Sequence, residues 1–485
     1  MNAAVVLPLP ELYIYYSIIH MRHFMVILLL LLCVNANAQQ GSKTAIVHVN
    51  IVDVEEGVLI KDQTVLIANE TIADIFPSSA KKTLSGWTMI NAKGKYLIPG
   101  LIDSHVHLHN FYSISQPQVL QAALNVFLYY GVTGIREASG SIFTKEMIAL
   151  RDSLASENKL GPKIYTSGIA TSTTLKKFNA LSYTDLVGKF KQMGVDGIKV
   201  KFTTFNETKE IIDAAHAVQL PVYGHTANAW KPDSTNIQGD FTEGIVDYGI
   251  NGVMHSAGYV AVGHVKLPPP PPVDSIYSRW IYNENLWFYK DEAAEDLLIK
   301  KMITHHTWLE PTLTVEEIMP SREQYRNDPG LKFSLMTYKD YEDGWPALTA
   351  RHKDSMLFAF KQKQAFVKKF YEAGGLVLAG TDHLYGSSLH KELELLAGAG
   401  LSPAMVLKIA TYNNAQALGW LDQLGTIRKG KKANLVLLDR NPLENILNSR
   451  AINSVVLNGR ILDRKKLDDL LKAALEIVTR YKDQN

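Results

Sequence analysis

Eight short apolar runs, each followed by enough chain for a helix, constrain the fold of this chain more than any other feature. They are YLIPGLIDSHVH (96–107), GVTGIREA (131–138), PKIYTSG (162–168), GIKVKF (197–202), PVYGHT (221–226), GVMHSA (252–257), TWLEPTL (307–313) and LVLAGTD (376–382). Strands that alternate with helices build a parallel sheet, and eight such units close into an α/β barrel, the (β/α)8 or TIM type. The spacing predicts that barrel over residues 96–419, with extra structure in the two longest gaps, 258–306 and 314–375. The proline run Pro268–Pro272 marks part of the first gap as stiff extended chain.

Both ends of the chain follow a different pattern. Residues 44–92 alternate apolar and polar positions between turn breakers, as in AIVHVNIVDV and QTVLIANETIADIFP, and the style returns in ANLVLLD and INSVVLNGRIL. Each half has too few strands to bury a face alone. Segments 44–95 and 420–485 are therefore expected to join as one discontinuous β-sandwich domain.

Residues 1–38 read as a secretory signal peptide. Arg22 and His23 precede an apolar stretch from Phe24 to Val34, and Ala36-Asn37-Ala38 supplies a small-residue cleavage site. Residues 1–20 resemble an upstream extension, with Met21 or Met25 as alternative starts. About eleven apolar residues are too few to span a bilayer, which needs ~20, so no membrane association is expected after cleavage. The mature protein is expected in the periplasm or outside the cell. The sole cysteine, Cys33, lies inside the signal, which removes thiolates as ligands or nucleophiles. Fifty basic against 48 acidic residues leave a net charge of +2, nothing that favours nucleic acid. The oligomeric state, a homo-oligomer included, is left open.

In such barrels the reactive groups sit at the C-terminal ends of the strands. Strand one ends in His105-Val106-His107, strand four carries Lys199, strand five His225, strand six His255 and strand eight Asp382. Residues i and i+2 on a strand face the same way, so His105 and His107 can share one ion. Singly, each is bland: His-x-His occurs on surfaces, a lone strand histidine is usually a core residue, and Asp382 could be a helix N-cap. Four histidines and an aspartate on four strand ends converge on one mouth, which packing alone rarely produces. Imidazole and carboxylate suit zinc and its borderline relatives, so two divalent ions, zinc first, are the expected cofactors.

A lysine on an inward strand is costly unless paired or neutralised. Its amine can react with carbon dioxide to give a carbamate, which bridges two cations as a carboxylate does. Lys199 and Lys201 share one strand face, and either could instead snorkel outward. Spacing alone does not choose between them.

PGLIDSHVHLH, GVTGIRE, GIKV, LAGTD, SLHKELELLAGAGLSPAMVLKIAT (388–411) and LGTIRKGKKANLVLLDRNPLENI with VVLNGR closely resemble the amidohydrolase superfamily, in its prolidase and imidazolonepropionase-like branch. The resemblance covers essentially the whole mature chain. It implies His105 and His107 on the buried metal, a carboxylated Lys199 bridging, His225 and His255 on the second metal, and Asp382 touching the buried metal while shuttling a proton. It favours Lys199 because that branch places its lysine directly after an Ile, as in Gly197-Ile198-Lys199. The chain departs from the branch at His225-Thr226-Ala227-Asn228, where relatives often show His-Ala-His-Gly, and at Glu137, where an Asp often follows the arginine.

Two cations lower the pKa of a bridging water toward neutrality, and the hydroxide attacks a polarised carbonyl. Asp382 passes the proton to the leaving amine. The expected reaction is hydrolysis of an amide bond in a small molecule, a dipeptide ending in proline or an N-acyl amino acid. Arg136, Tyr223, Tyr259 and His390 are candidates to hold a substrate carboxylate. A cyclic amide, ester or phosphotriester on the same site is the alternative, and a non-catalytic barrel acting as a binding module is the alternative of another class.

Overall fold

The structure is a computed structural model, and it describes residues 43–108 except 81, 117–138, 144–156, 159–225 except 202, 241–255, 276–321, 323, 325, 329–333, 348–382 and 386–484. The signal segment, the proline run 268–272 and Tyr259 lie outside these residues.

Seven parallel strands stand side by side in chain order: Leu101–Val106, Val132–Glu137, Lys163–Ala170, Gly197–Val200, Val222–Gly224, Gly252–Met254 and Trp308–Glu310. The eighth run closes the barrel without a full ladder. One side touches strand seven through Leu309 N–H to Leu376 O (2.9 Å) and Leu378 N–H to Leu309 O (2.8 Å). The other side touches strand one through Ser104 N–H to Ala379 O and Asp382 N–H to His105 O, both 2.9 Å. Side chains supply what the short ladder omits. Asn414 accepts from Ala379 N–H at 3.0 Å and donates to Ile102 O (2.6 Å) and Ala379 O (2.8 Å). Asn413 donates to Val377 O at 3.0 Å. Buried backbone groups need such partners, and two adjacent asparagines meet that need here.

The first expected run, 96–107, divides between two sheets. Tyr96–Pro99 pairs with Leu435–Leu438, while Leu101–Val106 begins the barrel. The crossing point is Gly100, where a Cβ would lie 2.0 Å from Thr133 Oγ1. The two chain ends thus meet in one mixed sheet. Its strand order is 460–463, 452–457, 435–438, 96–99, 43–53, 58–68 and 71–77, with 88–91 beside 43–53. Period-two alternation divides its side chains. Leu97, Leu435, Leu437 and Val456 form a core of their own, whereas Ile98, Val436, Leu438 and Val455 join the main barrel core. The second set fixes the β domain onto the barrel.

Residues beyond 463 depart from the expected β-domain assignment. Arg464–Gln484 is a helix, and Ala474 and Val478 pack against Ala122 and Val126 of the barrel helix Pro117–Tyr129. Leu418, Trp420 and Leu424 also belong with the barrel, closing the interior layer of Ile102, Tyr165, Tyr223, Met254, Trp308 and Leu378. The two long gaps hold the helices Ile276–Leu286, Glu292–Thr304, Leu313–Ser321 and Ala350–Glu372. Three of them are pinned together by Lys363, whose buried Nζ donates to Glu284 (2.6 Å) and Glu316 (2.7 Å).

Candidate active site

The strand ends bring six side chains together. His105 Nε2 lies 3.3 Å from His107 Nε2 and 3.0 Å from Lys199 Nζ. Asp382 Oδ1 is 3.2 Å from His105 Nε2 and 2.5 Å from His107 Nε2, while its Oδ2 is 3.8 Å from His255 Nδ1. The His255 ring stands 4.9 Å from that of His105 and 4.6 Å from that of His225. Lys199 is almost fully buried inside the ladder, whereas Lys201 lies past the strand's last residue, Val200, and is partly exposed.

Burial sets the protonation states. It pushes His107 down to about 4 despite Asp382, and pushes His225 and His255 well below the usual imidazole range. Burial would raise Asp382, but His105, His255 and His107 outweigh it and hold the carboxyl well below its usual value. Burial also lowers Lys199, to about 7. At neutral pH the cluster therefore offers neutral imidazoles at His107, His225 and His255, an ionised Asp382 carboxylate and a Lys199 amine that is partly uncharged. These are lone-pair donors. Nitrogen ligands ~2.0–2.1 Å from a tetrahedral zinc stand roughly 3.4 Å apart, close to the 3.3 Å between the two Nε2 atoms of His105 and His107. The residues present fit divalent cations.

Three residues beneath the cluster did not stand out in the sequence. Glu310, at the end of strand seven, takes a hydrogen bond from His105 Nδ1 at 2.8 Å, two from Arg136 Nη2 at 2.6 Å and one from Ser104 Oγ. Burial would raise its carboxyl, but Arg136 and His105 hold it below the usual range. Asp103 accepts from His105 N–H and Thr381 N–H, both 3.1 Å, and from Thr381 Oγ1 at 2.9 Å, tying strand one to strand eight. Thr312 Oγ1 lies 2.8 Å from His255 Nδ1. Gly380 makes room for this packing: a Cβ there would fall 2.8 Å from the Glu310 carboxyl and from His105 Cβ. The available signal was charge. A glutamate and an arginine within apolar strand runs each need a buried partner, and each is the other's.

The structure places three of the substrate-binding candidates against other partners. Arg136 is fully buried, bonded to Glu310 through Nη2 and stacked over the rings of Tyr223 (4.3 Å) and Trp308 (4.9 Å). Tyr223 lies one layer below His225, almost fully buried, its hydroxyl 2.8 Å from Ser167 Oγ. His390 sits between Tyr130 O (2.9 Å) and Ser449 Oγ (3.0 Å). Tyr130 lies two residues before the start of strand two at Val132, so His390 is at the end of the barrel opposite the mouth. Glu137 accepts from Leu108 N–H at 2.5 Å, joining the ends of strands one and two.

A sequence model of the amidohydrolase family matches residues 96–462. The chain belongs to the amidohydrolase family. It is a hydrolase of that family, and its donor cluster fits the metal dependence the family shows. It is 23% identical over 410 residues to an imidazolonepropionase of Treponema denticola, covering 81% of this chain and 89% of that one. An imidazolonepropionase of Geobacillus sp. (strain WCH70) is 34% identical over 113 residues, 22% of this chain and 27% of that enzyme. That second match thus spans about a quarter of the relative's length. Among solved structures, a Xaa-Pro dipeptidase with bound methionine in its active site superposes with a TM-score of 0.62 at 19% identity, covering 87% of this chain and 100% of that one. This last likeness establishes the fold.

Proposed function

We propose that this chain is an exported two-metal hydrolase that cleaves an amide bond in a small molecule, a dipeptide ending in proline or an N-acyl amino acid. The observation that carries the reading is the convergence of His105, His107, Lys199 and Asp382 within 3.3 Å contacts at the barrel mouth, with His255 and His225 beside them. Two divalent ions held there would acidify a shared water and polarise a carbonyl. His105 and His107 would hold the deeper ion, and His225 and His255 the other. Lys199, carboxylated by carbon dioxide with loss of a proton, would supply a carboxylate-like ligand shared by the two. Asp382, held ionised, is positioned to accept the proton of the attacking water and deliver it to the leaving amine. Buried Arg136, Tyr223 and Trp308 pack together in the barrel interior.

The similarity to an imidazolonepropionase over most of the chain favours a second reading, a cyclic amide opened by the same groups. A substrate panel separates the two: Xaa-Pro dipeptides, N-acyl amino acids, cyclic amides, esters and phosphotriesters, each assayed with protein of measured metal content. Cleavage of the linear amides only supports the first reading. Preference for the cyclic amide establishes the second, and protein that carries no metal yet hydrolyses the panel defeats both.

A further inference from the structure

We infer that the tripeptide Glu310-Pro311-Thr312 is a single splint that sets the ring orientation and tautomer of two metal-binding histidines at once, His105 through Glu310 and His255 through Thr312. The inference rests on the metal-site reading above and names positioning residues within it.

Four contacts converge on these three residues. The Glu310 carboxylate, held by Arg136, faces His105 Nδ1 at 2.8 Å. An ionised carboxylate can only accept, so Nδ1 carries the proton and the Nε2 lone pair points at Lys199, His107 and Asp382. The Glu310 carbonyl oxygen accepts from His255 N–H at 3.0 Å, fixing the backbone of the second histidine. Thr312 Oγ1 lies 2.8 Å from both Pro311 O and His255 Nδ1. The hydroxyl donates its proton to the Pro311 carbonyl. The hydroxyl oxygen is then left to accept from His255 Nδ1–H, and again Nε2 keeps the lone pair.

The splint is held in a strained shape. Thr312 has φ 47°, a left-handed value that a β-branched residue seldom adopts. What holds Thr312 there is the next turn. Buried Glu392 accepts from Leu313 N–H (3.0 Å), Thr314 N–H (2.7 Å) and Thr314 Oγ1 (2.8 Å), clamping the start of helix Leu313–Ser321. Groups that orient a metal-bound imidazole are worth about 10–100-fold in metal affinity.

Zinc binding to metal-stripped protein tests this, by competition with a chromophoric chelator and by elemental analysis, in wild type and in the Thr312→Val, Thr312→Ser and Glu310→Gln variants. Valine keeps the shape of threonine but offers no acceptor, so Thr312→Val should weaken one of two zinc equivalents by about 10–100-fold. Thr312→Ser should bind as wild type does. Glu310→Gln, whose amide can turn a donor toward His105, should weaken the other equivalent. Two equivalents bound by Thr312→Val with wild-type affinity would overturn the splint, as would equal loss in the serine and valine variants. Wild-type protein that takes up no zinc would overturn the metal-site reading itself, and the splint with it.

Discussion

Glu310 and His105, 205 residues apart in sequence, are joined by a 2.8 Å hydrogen bond at the floor of the barrel mouth, and Arg136 closes the other side of the carboxylate. The Glu310–Arg136 pair is fully buried, so removing one partner strands the other's charge. Breaking such a pair costs about 3–5 kcal/mol. Glu310→Ala should therefore destabilise the protein by that order in urea unfolding, and adding Arg136→Met should recover part of the loss. Additive losses in the double-mutant cycle would show that the two charges are not coupled.

Asp382→Asn should leave the fold intact and remove hydrolysis. The side chain keeps its shape but cannot take a proton, and general acid–base groups contribute about 10²–10⁴-fold. A loss of at least about 10²-fold in kcat, with unchanged circular dichroism, is expected. Near-wild-type turnover by the variant would take Asp382 out of the reaction.

His390 makes a pH prediction away from the site. Burial holds it at about 4 against an ordinary 6.5, so the folded protein binds its proton later than the unfolded chain. Stability from this group is intact above pH 6.5, falls as the pH drops from 6.5 to 4, and levels off below. At ~1.4 kcal/mol per pH unit the loss is about 3 kcal/mol. His390→Gln cannot titrate, so the stability difference between wild type and variant should move by about that amount in the variant's favour between pH 7 and pH 4. A pH-independent difference in urea unfolding would mean that His390 is protonated as easily folded as unfolded.

The sequence shows the barrel plainly because each βα unit leaves its own local trace, and the site because the fold gathers strand C-termini at one mouth. That His105 and His107 face the same way follows from period two alone. The same rule cannot separate Lys199 from Lys201, which share parity. The ladder ends at Val200, between the two, through a long-range pairing with strand five that local pattern does not record. Arg136 looked like a substrate clamp because charge in a strand is visible, whereas its partner lies 174 residues away. The helix Arg464–Gln484 was legible: Leu467, Leu471, Ala474 and Val478 recur at helical spacing, and adjacency to the β strands obscured it. The break of run 96–107 at Gly100 was not, since it depends on where Thr133 packs.

Lys199 supports the last prediction. Its Nζ lies 3.0 Å from His105 Nε2, and burial brings the amine to about 7, so a useful fraction is uncharged and able to capture carbon dioxide at neutral pH. If the carbamate forms, Lys199→Ala should lose activity together with one metal equivalent. Acetate, which offers two oxygens, should restore part of both in that variant. Bicarbonate should speed recovery of metal-stripped wild type, because the carbamate needs carbon dioxide. Lys201→Ala is the control: it lies beyond the strand end, so it should keep its metal and most of its activity. A dead Lys201→Ala beside an active Lys199→Ala would move the bridging role two residues along. Two active variants, indifferent to acetate and bicarbonate, would remove the carbamate and leave the imidazoles and Asp382 as the whole donor set.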